Sequence, residues 1–190
     1  MRVILAAVGS LVILLSGVGV RAIQDVRARA DIKGEGVSGT VELREVEAQT
    51  AGAHDMKFMT GTKGVEITVT VTGLTPGAHG FHFHAVGKCE APFTSAGGHL
   101  DPGPNGETDA DANHPFHMGD LPNLVADTSG RATLKTITTR VTLSAGPLSV
   151  FDADGTAVIV HGNPDQGVTG AANSGVSGGP RVACGVIAKP

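Results

Sequence analysis

Tryptophan and tyrosine are absent from the 190-residue chain and only six phenylalanines are present, so the core has to be built from Val, Ile, Leu and Ala. Charge is sparse, at 17% of residues, and its formal balance is −4, which excludes the strongly basic face of a nucleic-acid binder. There is no Gly-X-Y period, no heptad pattern and no self-similarity at 20 to 50 residues, which excludes collagen, coiled coil and solenoid. No segment carries a convincing amphipathic helical period, and there is no H-E-x-x-H motif to pair a zinc-bound water with a glutamate base. What abounds is glycine: 28 residues, about twice its usual share. Such a chain bends often, and its length suffices for one domain with a substantial core but is short for two.

Arg2 is followed by a charge-free run to Val20, and Val20-Arg21-Ala22 has the small-x-Ala form of a signal peptidase site. Residues 1–22 therefore read as an export signal, with an uncleaved anchor as the alternative because such a run only just spans a bilayer. Ala28-Arg29-Ala30 is a later cleavage candidate. Removal of residues 1–22 takes Arg2 and Arg21 and no acid from the 14 basic and 18 acidic residues, leaving −6. The expected location is outside the cytoplasm, periplasmic or extracellular. There the two cysteines, Cys89 and Cys184, suggest one disulfide, with two free thiols as the alternative.

Residues 23–36 mix charge and glycine without a sustained period and read as a flexible lead-in to a domain spanning 37–190. Beyond them the period is two. Residues 40–44 alternate, and 65–72 (VEITVTVT) put four β-branched apolar side chains on one face. After a turn at Leu74-Thr75-Pro76-Gly77, the alternation resumes at Gly80-Phe81-His82-Phe83-His84. Further strands are expected at 131–138, 141–143, 156–161 and 181–188. Two long aperiodic stretches, 87–120 and 162–180, interrupt them, and loops of that length in a compact domain are usually functional. The expected class is all-β, a sandwich or flattened barrel with two functional loops.

Eight histidines occur, seven of them between positions 79 and 161. His82 and His84, at i and i+2 of a strand, project from one face about 7 Å apart at the backbone, close enough to share an ion, while Phe81 and Phe83 face the core. An HxH pair alone is a weak signal. It gains weight from Gly98-His99-Leu100-Asp101-Pro102, from His114-Pro115-Phe116-His117-Met118-Gly119-Asp120, and from Val158-Ile159-Val160-His161. Imidazole with supporting carboxylate suits zinc and copper(II), and six histidines with one aspartate are enough for two sites.

These motifs, together with Gly179-Pro180-Arg181-Val182-Ala183-Cys184-Gly185-Val186-Ile187, resemble the ordered signatures of the exported bacterial copper/zinc superoxide dismutases over residues 35–190. The resemblance implies a Greek-key, immunoglobulin-like β-sandwich and conversion of superoxide to dioxygen and hydrogen peroxide by alternate reduction and oxidation of copper. His82, His84, His99 and His161 would hold copper, with His99 bridging as imidazolate to a zinc that also takes His117 and Asp120. The fourth zinc ligand departs from the family pattern. A histidine is expected about eight positions after the bridging one, where Glu107 stands; His114 is the favoured substitute, with Glu107 or an altered zinc site as alternatives. Asp165 would hydrogen-bond ligand imidazoles of both metals, Arg181 would guide and dock superoxide, and His79 would be a structural hydrogen-bonding residue. His54 reads as a surface residue. Stable membrane association is expected only if the N-terminal segment stays uncleaved, and both monomer and homodimer remain open. A copper-binding or copper-delivery module on the same fold is the competing reading.

Overall fold

The computed structural model describes residues 25–47, 63–103 and 109–190; the expected export signal, His54 and Glu107 lie outside the described residues. Among the described residues nine strands form one antiparallel sheet: β1 (Arg27–Gly34), β2 (Ser38–Glu47), β3 (Lys63–Thr72), β4 (Gly77–His79), β5 (Phe81–His84), β6 (Leu124–Ala126), β7 (Ala132–Thr138), β8 (Ala157–His161) and β9 (Arg181–Val186). Their order is β4-β6-β7-β3-β2-β1-β9-β8-β5. The two outermost strands, β4 and β5, are consecutive in the chain and separated by Gly80 alone. The sheet is therefore drawn round on itself into a nearly closed barrel. The passages from β3 to β4 and from β7 to β8 skip neighbours in the Greek-key manner. The only helical element among the described residues is a 3-10 turn at Thr94–Ala96.

Alternation explains the interior. Val65, Ile67, Val69 and Val71 of β3 are wholly buried, and they meet Val41 and Leu43 of β2, Phe81 and Phe83 of β5, and Val158 and Val160 of β8 in one aliphatic core. The opposite face of β5 and β8 is buried as well, under loops. Ala157 and Ile159 pack with Ala96 and Cys184 in a second cluster that also takes Cys89 and Phe93.

Most expected strands shift by one or two residues at their ends, β4 and β6 are additional, and the larger differences have physical reasons. Residues 27–34 are not a flexible lead-in but β1, paired with β2 from Arg27↔Arg44 to Lys33↔Ser38 and with β9 at Lys33↔Cys184. Its inward residues are Ala28, Ala30 and Ile32; alanine carries little β signal, so the alternation of Arg-Ala-Arg-Ala-Asp-Ile-Lys is masked. At 141–143 there is only an isolated bridge, Thr142↔Ser149, and β6 is too short for its period to register.

Candidate metal centre

The two loops fold over the outer face of β5 and β8 and bring the histidines together. Ligand-capable atoms of His82, His84, His99 and His161 lie within 4.8 Å of one another, and the same holds for His99, His114, His117 and Asp120. His99 belongs to both groups. It stands 4.1 Å from His82 and 5.3 Å from His117 between ring centroids. All six histidines are buried.

The loop carrying His117 and Asp120 is laid against β5 through Gly119. Its N–H donates to the Leu100 carbonyl at 2.7 Å and its carbonyl accepts from Phe83 N–H at 2.9 Å. A Cβ at this position would collide with the Phe83 carbonyl, which is why the segment needs glycine. Arg140, after β7, donates to the carbonyl oxygens of Pro115 and His117. Thr169 donates its hydroxyl to the His114 carbonyl at 2.6 Å.

Five of the six rings have an orienting partner, and two of them share one. His84 Nδ1 donates to the Gly97 carbonyl at 3.0 Å and His161 Nδ1 to the Gly179 carbonyl at 3.1 Å. His82 Nε2 and His114 Nε2 share the Asp165 carboxylate at 3.0 and 2.6 Å, and His99 Nδ1 stands 2.6 Å from Asp120 Oδ1. Since a carbonyl oxygen only accepts, the protons of His84 and His161 are fixed on Nδ1 and their Nε2 lone pairs face inward. Six buried ring nitrogens make no hydrogen bond: His82 Nδ1, His84 Nε2, His99 Nε2, His161 Nε2, and His114 Nδ1 and His117 Nδ1, the last two facing the Asp120 carboxylate at 3.3 and 3.4 Å. Converging in two groups, they are costly unless a cation takes their lone pairs, so the residues present fit two metal ions.

Electrostatics agree. Burial holds His84 and His161 well below the ordinary imidazole value, helped by the rings of His99 at His84 and of His82 and His99 at His161 and by Arg181 at both, and brings His99 down to about 4. These rings are neutral at pH 7, as metal ligands must be. His114 goes the other way, to about 9: burial opposes the shift, but the facing carboxylates of Asp120 and Asp165 outweigh it. The histidines in turn hold Asp120 and Asp165 below the ordinary carboxylate range against the cost of burial.

Arg181 lies on the rim of a cavity of about 770 Å³ that His161 and Asp109 also line. Its guanidinium donates to the Phe93 and Gly97 carbonyls, both at 2.7 Å. Those acceptors are uncharged and leave its charge uncancelled. Cys89 and Cys184 are joined in a disulfide, which ties the loop bearing Phe93 to β9. His79 lies outside both ligand groups, its ring nitrogens 2.8 Å from the carbonyl oxygens of His161 and Thr75. Sequence reasoning missed Asn123, whose side-chain amide bonds both the N–H and the carbonyl of Asp165; it stands three residues after Asp120 and carries no metal-ligand signal of its own.

Barrel and site together define a β-barrel metalloprotein with two adjoining ligand groups that share one imidazole. Residues 37–187 match the copper/zinc superoxide dismutase family, and the chain belongs to it. It is 37% identical over 156 residues to the Cu-Zn superoxide dismutase of Caulobacter vibrioides, covering 79% of this chain and 85% of that one. A Cu-Zn superoxide dismutase of Aquifex aeolicus is 34% identical over 170 residues, covering 86% and 89%. Among solved structures, the clock protein EA4 superposes with a TM-score of 0.68 at 28% identity, covering 87% of this chain and 96% of that one. A double mutant of a SOD-like protein from Bacillus subtilis gives 0.61 at 29% identity, covering 83% and 95%.

Proposed function

We infer that the protein is a superoxide dismutase that converts two superoxide anions and two protons into dioxygen and hydrogen peroxide. The observation that carries this reading is the shared ring: His99 directs Nε2 without a protein partner toward the four-histidine group and Nδ1 toward the Asp120 group. We assign copper to His82, His84, His99 and His161, and zinc to His99, His114, His117 and Asp120. Copper, when bound, supplies a centre that accepts and returns one electron, which zinc does not.

The chain's own residues supply orientation, exclusion and attraction. Asp165 fixes the tautomers of His82 and His114 together, so one carboxylate aligns a ring in each ligand group. The rings are buried under the two loops, and His161 of the four-histidine group lines the cavity beside Arg181. There the guanidinium offers a permanent charge and a planar set of donors to a small oxyanion. A complete copper set with Arg181 in place weighs against a purely copper-binding or copper-delivery role. We also propose export to the periplasm or beyond, supported by the N-terminal apolar run and the disulfide.

Metal analysis of the purified protein alongside a superoxide-consumption assay tests the reading. One copper and one zinc per chain with activity is the expected result. Zinc alone, with no activity after copper is added, would overturn it.

A further inference from the structure

The orientation of His161 depends on a turn that none of the histidine motifs marks. Its Nδ1 donates to the carbonyl of Gly179, and the Gly178 backbone is pressed so close that a Cβ there would come within 2.7 Å of His161 Cβ. Gly175, Gly178 and Gly179 all adopt positive φ, at 80°, 117° and 61°. Within this turn the closing bond is from Gly178 N–H to the Gly175 carbonyl, 3.2 Å long. A glycine-rich turn of this kind is conformationally permissive and needs an outside restraint to hold one shape.

Part of the restraint comes from the segment after β8, where Asn163 N–H donates to the Gly178 carbonyl at 3.1 Å and Gln166 N–H to the Val176 carbonyl at 2.8 Å; the side-chain restraint on Gly175 and Ser177 comes from across the site. Asp111, 4% exposed, accepts from Gly175 N–H at 2.7 Å through one carboxylate oxygen. Through the other it accepts from Ser177 N–H at 2.9 Å and from the Ser177 hydroxyl at 2.7 Å. Its backbone carbonyl accepts from Gly170 N–H at 3.0 Å. Asp111 is itself held in place by Asp109, whose carboxylate receives the N–H groups of Asp111 and Ala112. Beyond the turn, Gly162 N–H donates to the Pro180 carbonyl, one residue before Arg181.

We propose that Asp111 is a positioning residue for the metal centre: reaching from the segment that carries His114 and His117, its carboxylate clasps the 175–177 turn and so fixes the His161 ring and the start of β9 at Arg181. Its catalytic meaning rests on the dismutase reading, whereas the clasp belongs to the fold without metal. One carboxylate thereby makes the geometry of the four-histidine group depend on the loop that supplies the neighbouring group. Replacing it strands three donors in a buried place, which the turn can relieve only by moving.

Full-length Asp111→Asn and Ser177→Ala test this. The asparagine keeps the size but sets an NH2 group against the turn's N–H donors, while the alanine removes one of the three bonds. In metal-free protein, ring-nitrogen NMR of His161 is expected to show a single Nδ1–H tautomer in the wild type, a mixture in Asp111→Asn and an intermediate in Ser177→Ala. In protein loaded with copper and zinc, Asp111→Asn is expected to shift the copper(II) electron paramagnetic resonance spectrum and to lower copper affinity about tenfold, with zinc content unchanged. Unaltered His161 shifts and an unaltered copper spectrum in Asp111→Asn overturn the proposal. So does an equal loss of both metals with a lowered unfolding temperature, which would mark Asp111 as merely structural. Failure of the wild type to take up copper would overturn the dismutase reading, and the metal-free comparison would still decide the clasp.

Discussion

At Arg181 the two guanidinium bonds run to carbonyl oxygens, so the side chain is fixed without losing its charge. Removal should spare the metals and cost rate. Arg181→Ala is expected to bind both ions as the wild type does and to lose about tenfold in superoxide consumption at low salt. That is the lower end of the range known for electrostatically steered association, this family among its examples. An unchanged rate with pulse-generated superoxide would remove Arg181 from the reaction. His114 poses a different question, because the family position for that ligand is held by Glu107. With His114 Nε2 on Asp165 and Nδ1 3.3 Å from Asp120 Oδ1, His114→Ala should abolish stoichiometric zinc while Glu107→Gln leaves it intact. Zinc lost in the glutamine variant and kept in the alanine one would reverse the assignment. His114 was a candidate in sequence because a histidine three before His117 can reach the same place, and the structure groups the two with His99 and Asp120; Asn123 was not, since an amide that braces a carboxylate has no pattern.

Strands differ in how much of their pairing a linear reading can reach. β3 declares itself through four β-branched residues in strict alternation, whereas β1 hides behind alanines that are small enough for close packing but only weakly apolar. Between β2 and the turn at 143–144, a single carboxylate holds the connection. Glu45 accepts from Leu143 N–H at 2.9 Å, Ser144 N–H at 2.7 Å and Lys63 Nζ at 2.6 Å. Burial works against ionisation there, but the bonds from Lys63 and Ser144 dominate and hold the group at about 2 rather than 4.5. A carboxylate depressed on folding stabilises the native state above its unfolded value and loses that contribution as pH falls through the folded one. Glu45→Gln is therefore expected to cost about 2 kcal/mol in unfolding free energy near neutrality, with the gap to the wild type closing between pH 4.5 and about 2. A gap that stays constant over that interval would show that the charge contributes nothing.

Over the whole molecule, the net charge, −4 for the full chain and −6 without residues 1–22, repels the anion that the site is built to receive, so attraction has to be local. Among the described residues of the 162–180 loop the charged side chain is Asp165, already committed to His82 and His114. Raising ionic strength is expected to slow the wild-type reaction by screening Arg181. A rate that climbs with salt would show instead that global repulsion governs approach. Metal removal should also act globally, because copper would join His99 of the loop to His82, His84 and His161 of the barrel, and zinc would fasten that loop on itself through His99, His114, His117 and Asp120: chelation is expected to lower the unfolding temperature, and readdition of zinc to restore part of it. Equal unfolding temperatures with and without metal would count against bridging.

The order of residues along the chain was enough to determine the all-β class, the ligand types and the single cystine, because period-two alternation, imidazole chemistry and a count of two cysteines are each local or compositional. Which carboxylate aligns which ring was decided only by the fold. Asp165 reaches His82 and His114, and Asp111 reaches Gly175 and Ser177, across separations of 51 to 83 residues. Contacts of that kind exist because the barrel brings the two loops together over one face, and no spacing along the chain encodes which side chains will meet there.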